Sequence, residues 1–205
     1  MVSAVDALAR LREGNLRFAA HTQSNDRTLD TRPAEVADGQ EPFAIILGCS
    51  DSRVPAEIVF DQGLGDLFVI RVAGNVVAPS QIGSVEFAAT KFATRLVVVL
   101  GHSQCGAIEE TLNQLQVPND HRSRNLRSIV DFVRPSIESL LAQGFGDDPQ
   151  ALFAKAVRAN VRASAEHMRH GSEILEELER DEGLLIVGAE YSLETGLVDF
   201  FDGVP

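Results

Sequence analysis

The 205-residue chain has no tryptophan, two cysteines and two methionines. So few cysteines exclude a disulfide-stapled scaffold, and they shift the weight toward thiolate chemistry or metal binding. No apolar run approaches the roughly 20 residues that a membrane span needs. The opening MVSAVDALARLREG has no basic region followed by an apolar stretch, so no signal peptide is expected and a cytoplasmic protein is. Basic residues are also scarce, 18 Lys and Arg against 30 Asp and Glu, for a net charge of −12. Such a surface repels phosphate backbones and anionic bilayers, which argues against nucleic-acid and membrane partners. Neither a G-x-G-x-x-G after a strand nor a G-x-x-x-x-G-K-[ST] occurs, and GLGD at 63–66 precedes a strand and reads as a turn. The nucleotide ligands common in strand–helix folds therefore have no cradle here. Internal repeats and low-complexity segments are absent.

What is present is an ordinary globular composition, 44% hydrophobic and 23% charged, long enough to bury a full core. FAIILG (43–48), DLFVIRV (66–72), RLVVVLG (95–101) and LLIVGAEY (184–191) are short continuous apolar runs, the pattern of strands buried on both faces. GLVDFF (196–201) reads as a short fifth strand at the edge. Residues 3–21 carry Val5, Leu8, Leu11, Leu16 and Phe18 at near-helical spacing, with Gly14 as a weak point. Short helices are expected at 54–62, with Pro55 in the first turn, and at 80–94, with Ser80 as cap. Helical stretches follow at 105–115 and 125–144, and one long polar helix at 150–181. Residues 22–42 are turn-rich, with a helical turn at 33–37. The expectation is an α/β fold: a central, mainly parallel sheet of four strands with a short edge strand, helices on both faces and an N-terminal helical arm. Residues 1–205 read as one domain, with an arm and loop at 1–42, a core at 43–115, a helical segment at 116–181 and the last strands at 184–205.

The first and third strands end alike. GCSDSR (48–53) delivers Cys49, Asp51 and Arg53, and GHSQC (101–105) delivers His102 and Cys105. Parallel strands open their carboxyl ends onto one crevice, so these side chains converge. Two thiolates, an imidazole and a carboxylate form a zinc ligand set, and soft sulfur argues for Zn²⁺ over Mg²⁺ or Ca²⁺. Each residue alone has a plainer reading: buried cysteines as small hydrophobes, Asp51 as a turn residue, Arg53 as a surface cation, His102 as a satisfied core histidine. Those readings together would require both cysteines, at matching strand ends, to have His or Asp within three residues by coincidence.

CSDSR (49–53) and GHSQCG (101–106), with DLFVIRVAGN (66–75), LREGNLRF (11–18) and LLIVGAEYSLETG (184–196), resemble the β-class carbonic anhydrases. The resemblance implies reversible hydration of CO₂ to bicarbonate and a proton by attack of zinc-bound hydroxide. It implies Cys49, His102 and Cys105 as zinc ligands, Asp51 as a switchable fourth ligand and Arg53 as the partner of that aspartate. It also implies a homo-oligomer, a dimer or a dimer of dimers, whose site is lined by both chains and whose N-terminal helix reaches a neighbouring subunit. Gln40 matches a glutamine that hydrogen-bonds substrate, Phe68 an apolar pocket residue and Gly106 a glycine near the zinc. Ala73 stands where valine is common, and Phe87 where tyrosine is common, which removes a hydroxyl. Some members bind bicarbonate in a second pocket built on a tryptophan, an arginine and a tyrosine. Arg71 and Tyr191 match the latter two, but Ile46 occupies the tryptophan position, so no bicarbonate is expected there. His21, His121, His167 and His170 are the remaining candidates for moving the proton. Two alternatives stand beside this reading: a carbonyl sulfide or carbon disulfide hydrolase on the same scaffold, and a non-catalytic zinc or redox module.

Overall fold

The five apolar runs form one sheet in the computed structural model, which describes residues 2–22, 36–116, 123–143 and 148–205. Strands β1 (Ala44–Gly48), β2 (Leu67–Arg71), β3 (Leu96–His102) and β4 (Leu185–Tyr191) are parallel in the order β2-β1-β3-β4. Strand β5 (Val198–Asp202) closes the far edge, antiparallel to β4. β1 and β3 are buried at every position, because helices cover both faces. The period of two sorts the side chains: Ile46, Val98, Leu100 and Val187 join one cluster, and Ile45, Leu47, Val97, Val99 and Ile186 the other.

Among the described residues there are seven α-helices. Helices α1 (Ala4–Ala19) and α2 (Ala56–Val59) cover the first face. Helices α3 (Pro79–Lys91), α6 (Pro149–His170) and α7 (Glu173–Glu182) cover the second. Helices α4 (Gly106–Gln116) and α5 (Arg124–Ala142), with the start of α6, enclose a third cluster that contains Cys49 and Cys105. The chain passes from β1 to β2 on one side, then crosses back to β3 on the other side of β1. The order therefore reverses between β1 and β3, and that is where such sheets open a ligand crevice.

Several local expectations change. Helix α1 runs unbroken through Gly14, where a Cβ would lie 1.9 Å from the Phe60 carbonyl oxygen. The glycine is a close-approach residue, not a weak point. Leu8 and Leu11 are buried against this chain's own sheet, whereas Val5 and Leu16 face outward at 58% and 60% exposure. The buried face of the arm packs on its own chain. Helix α3 starts at Pro79 after Ala78, and Ser80 caps nothing; its hydroxyl bonds Gln81 instead. Pro55 is the residue before α2, not in its first turn. The expected helix at 150–181 is two helices, because Ser172 starts a new one: its Oγ accepts from Leu175 N and donates to Glu86. Of the turn expected at 33–37, residues 33–35 lie outside the described residues.

Candidate metal centre

The two strand ends meet as the topology requires. Cys49 follows the last residue of β1, His102 is the last residue of β3, and Cys105 immediately precedes α4. Their ligand atoms all lie within 4.8 Å of one another. His102 is fully buried, and its Nδ1 lies 2.8 Å from the Ser103 carbonyl oxygen. A carbonyl only accepts, so Nδ1 carries the proton and Nε2 is left as a bare lone pair. That Nε2 is buried with no hydrogen-bond partner. An orphaned acceptor beside two thiols is costly in an empty pocket and well matched to a cation.

The thiols behave as a coupled pair. A hydrogen bond from Cys105 draws the Cys49 thiol down to about 4, and the Gly74 N–H, 3.4 Å from the sulfur, assists against the opposing effect of burial. Cys105 is pushed up, first by that same bond to Cys49 and then by burial. The bond thus favours the thiolate at Cys49 over one at Cys105, and both thiols would have to be deprotonated to hold a dication. Sulfur and imidazole donors fit a soft or borderline divalent cation.

Asp51 sits at the mouth of this cluster, its Oδ2 3.9 Å from His102 Nε2. Arg53 clasps it with Nε to Oδ1 at 2.9 Å and Nη2 to Oδ2 at 2.7 Å, and the Arg53 backbone N–H adds a third bond to Oδ1. The guanidinium hydrogen bonds hold the Asp51 carboxyl well below the usual carboxylate range, against a burial cost. Arg53 Nη2 also reaches the Gln104 carbonyl at 3.4 Å, joining the loops after β1 and β3. Arg71 donates from Nε to the Cys49 carbonyl at 3.1 Å and from Nη2 to the Asp51 carbonyl at 2.6 Å. Its guanidinium is a brace under the 49–51 loop.

The remaining candidates divide in two. Ala73 opens a 3₁₀ turn, Ala73–Asn75, whose Gly74 touches Cys49, and Gly106 begins α4 next to Cys105. Gln40, Phe68 and Phe87 are elsewhere. Gln40 precedes β1, which puts the whole five-residue strand, roughly 16 Å, between it and Cys49. Phe68 pairs with Ile45 near the start of β2, and its ring lies 6.1 Å from those of Phe87 and Phe92. Phe92 in turn lines, with Gln40, Phe43 and Lys91, a cavity of about 450 Å³. Gln40, Phe68 and Phe87 therefore gather at the opposite end of the sheet, with Phe87 51% exposed. Helix α6 runs back along the sheet from Val157 at Gly101 to Arg169 at Ile186, so His167 and His170 lie far from Cys49, His102 and Cys105. His21 is exposed just past α1, and His121 lies outside the described residues.

Sequence reasoning gave Arg71 only to a second pocket and missed its brace, together with the Gly74 donor and the Ser103 carbonyl that sets the imidazole. Backbone donors and acceptors carry no residue-type signature, and an arginine ending a strand looks like any surface cation.

A doubly covered parallel sheet that plants two thiols and an orphaned imidazole nitrogen at its switch point defines a metalloenzyme of the α/β class. The sequence model of the carbonic anhydrase family matches residues 44–198. Carbonic anhydrase 2 of Mycobacterium tuberculosis is 39% identical over 196 residues, 94% of this chain and 90% of that protein. A carbonic anhydrase of Mycolicibacterium smegmatis is 45% identical over 136 residues, 65% of this chain and 64% of that protein. Among solved structures, the β-carbonic anhydrase of Coccomyxa in complex with acetazolamide superposes with a TM-score of 0.73 at 26% identity, covering 95% of this chain and 86% of that one. The chain belongs to the β-class carbonic anhydrases and is a carbonate dehydratase. Carbonyl sulfide and carbon disulfide hydrolysis find no support among these relatives.

Proposed function

We propose that Cys49, His102 and Cys105 hold zinc and that the enzyme interconverts CO₂ and bicarbonate in the cytoplasm. The observation that carries the reading is the His102 Nε2, buried and unpartnered between two thiols. Bound there, zinc supplies the Lewis acidity that makes a water nucleophilic near neutral pH. Arg53 holds the Asp51 carboxylate at the mouth, where it accepts a hydrogen bond from the attacking water and fixes its orientation. Released from Arg53, Asp51 is close enough to turn onto the ligand cluster and close it, so the pair acts as a gate. Arg71 keeps the 49–51 loop in place while the carboxylate moves. Ala73 and Gly106 are small residues flanking the cysteines and leave apolar room for an uncharged substrate.

Gln40, Phe68 and Phe87 serve a second copy of the site. Within one chain they lie at the far end of the sheet, but a two-fold pairing brings that end of one protomer to the metal ligands of its partner. Gln40 then donates to a substrate oxygen, and the phenylalanines wall the pocket. The enzyme is accordingly a homodimer or a dimer of dimers; β-carbonic anhydrases of Sordaria macrospora described as tetrameric have a related fold, at a TM-score of 0.73 and 23% identity. With Nε and Nη2 of Arg71 spent on loop carbonyls and no indole at Ile46, Arg71 and Tyr191 form no second bicarbonate site. Stopped-flow CO₂ hydration with metal analysis tests the reading. Wild type hydrates CO₂ with zinc bound, and Cys105→Ser loses both; full hydration by the Cys105→Ser protein would overturn it.

A further inference from the structure

Behind the Ser103–Gln104 loop, on the side away from Asp51, lies an open groove of about 480 Å³ that the proposed reaction does not use. Its volume is in the range of small-molecule sites, and it opens at the carboxyl ends of β3 and β4, where α/β sheets bind ligands. One wall is apolar: Pro149, Phe153, Ala154 and Val157 from the first turns of α6. The other carries Glu190, at the end of β4, and Glu194 beyond it. The Glu190 side chain is only 17% exposed, and burial pushes its carboxyl above the ordinary value.

Charge decides the kind of occupant. The cation facing Glu190 is Arg158, whose Nη1 lies 3.4 Å from it, but Arg158 is shared with Asp199, to which its Nη2 bonds at 2.9 Å. Arg158 is thus divided between two carboxylates, and a third, Glu194, lines the groove. The positive end of α6 is also already satisfied, because Asp148 accepts from Gln150 N and Ala151 N at 3.0 and 3.1 Å. Among the described residues that line this groove an anion finds no cationic side chain, whereas a cation meets a partly desolvated carboxylate beside an aromatic wall.

We propose that this groove binds a small organic cation, with an ammonium group against Glu190 and an apolar body against Phe153 and Val157. Its floor is the loop between two metal ligands, where Gln104 holds a left-handed backbone (φ 55°) and offers its carbonyl to Arg53. An occupant therefore touches the loop that steadies the Asp51–Arg53 pair. That coupling rests on the gate role proposed for Arg53; the binding site itself does not.

Phenethylamine and its neutral counterpart 2-phenylethanol are titrated into isotope-labelled, zinc-loaded protein and followed by NMR. Wild type shows saturable shifts at Ser103, Gln104 and Phe153 with the amine and none with the alcohol. Glu190→Gln weakens amine binding at least tenfold, the loss expected for one charged hydrogen bond. Arg158 keeps Asp199 in that variant, so the strand end stays tied. Ala154→Trp, at an exposed helix position, fills the groove and abolishes the shifts. CO₂ hydration without amine is unchanged in both variants, which separates this result from any failure of the metal-site reading. Absence of saturable amine binding, equal affinity for amine and alcohol, or full affinity in Glu190→Gln overturns the proposal.

Discussion

Replacing Gly101 with alanine tests how tightly the imidazole is positioned. A Cβ at Gly101 would lie 2.4 Å from Val161 Cγ2, against 3.6 Å from Val157 Cγ1. Relief needs about 1 Å of movement, since carbon atoms settle near 3.5–4.0 Å. Val161 is fully buried and, being β-branched in a helix, has one strongly preferred rotamer, so it cannot turn aside. Helix α6 or strand β3 must shift, and the next residue on β3 is His102. Overpacking of this kind costs about 1–3 kcal/mol. Val161→Ala alone costs about 1.5–3 kcal/mol in lost burial. In the double variant the clashing Cγ2 is gone, so its cost falls below the sum of the singles by at least ~1 kcal/mol. Urea unfolding of the four proteins, with zinc content measured on each, gives the cycle. Gly101→Ala is expected to bind zinc more weakly, and the second substitution to restore part of that affinity. Additive costs within ~0.5 kcal/mol, or undisturbed zinc content in Gly101→Ala, would refute the argument.

Arg53→Ala keeps the zinc and the fold, because Arg53 is exposed and no ligand, but lowers the hydration rate as Asp51 loses its clasp; metal analysis beside stopped-flow kinetics shows the split, and an unchanged rate removes the gate. Phe87→Glu puts a charge into the exposed aromatic cluster and yields a zinc-loaded monomer without hydration activity, read by light scattering and assay; an active monomer contradicts a site shared between chains. Burial raises the Glu190 carboxyl, so the folded chain binds more protons than the unfolded one from about pH 4.3 up to the folded value, and stability falls as pH rises through that window. Glu190→Gln removes this cost, so the variant gains stability relative to wild type as pH rises; a constant difference in urea unfolding across that range tells against it.

Much of this was legible because the strands carry it. A continuous Ile45–Leu47 or Val97–Leu100 run has few foldings open to it in a chain of this length, and chemistry-bearing residues that end two such runs are delivered to one edge. The convergence of Cys49, His102 and Cys105 followed from that pattern. What was illegible depends on partners remote in sequence. Gly14 looks like a helix breaker until the Phe60 carbonyl is placed against it. Val5 and Leu16 share a helical period with Leu8 and Leu11 but face outward, because only Leu8 and Leu11 meet the sheet. Ser80 is a good cap residue displaced by Pro79, whose fixed φ suits the first helical position. Gln40, Phe68 and Phe87 lie at the far end of the sheet from the cysteines, a placement that depends on strand direction and that no spacing rule gives.

The most direct test of the account is a zinc titration of metal-free enzyme, with CO₂ hydration measured by stopped flow at each step. The account predicts that the rate rises in proportion to bound zinc and stops at one zinc per chain, with no rise in Cys49→Ser. Hydration at the full rate before zinc is added, or a rate that ignores the amount bound, would contradict it.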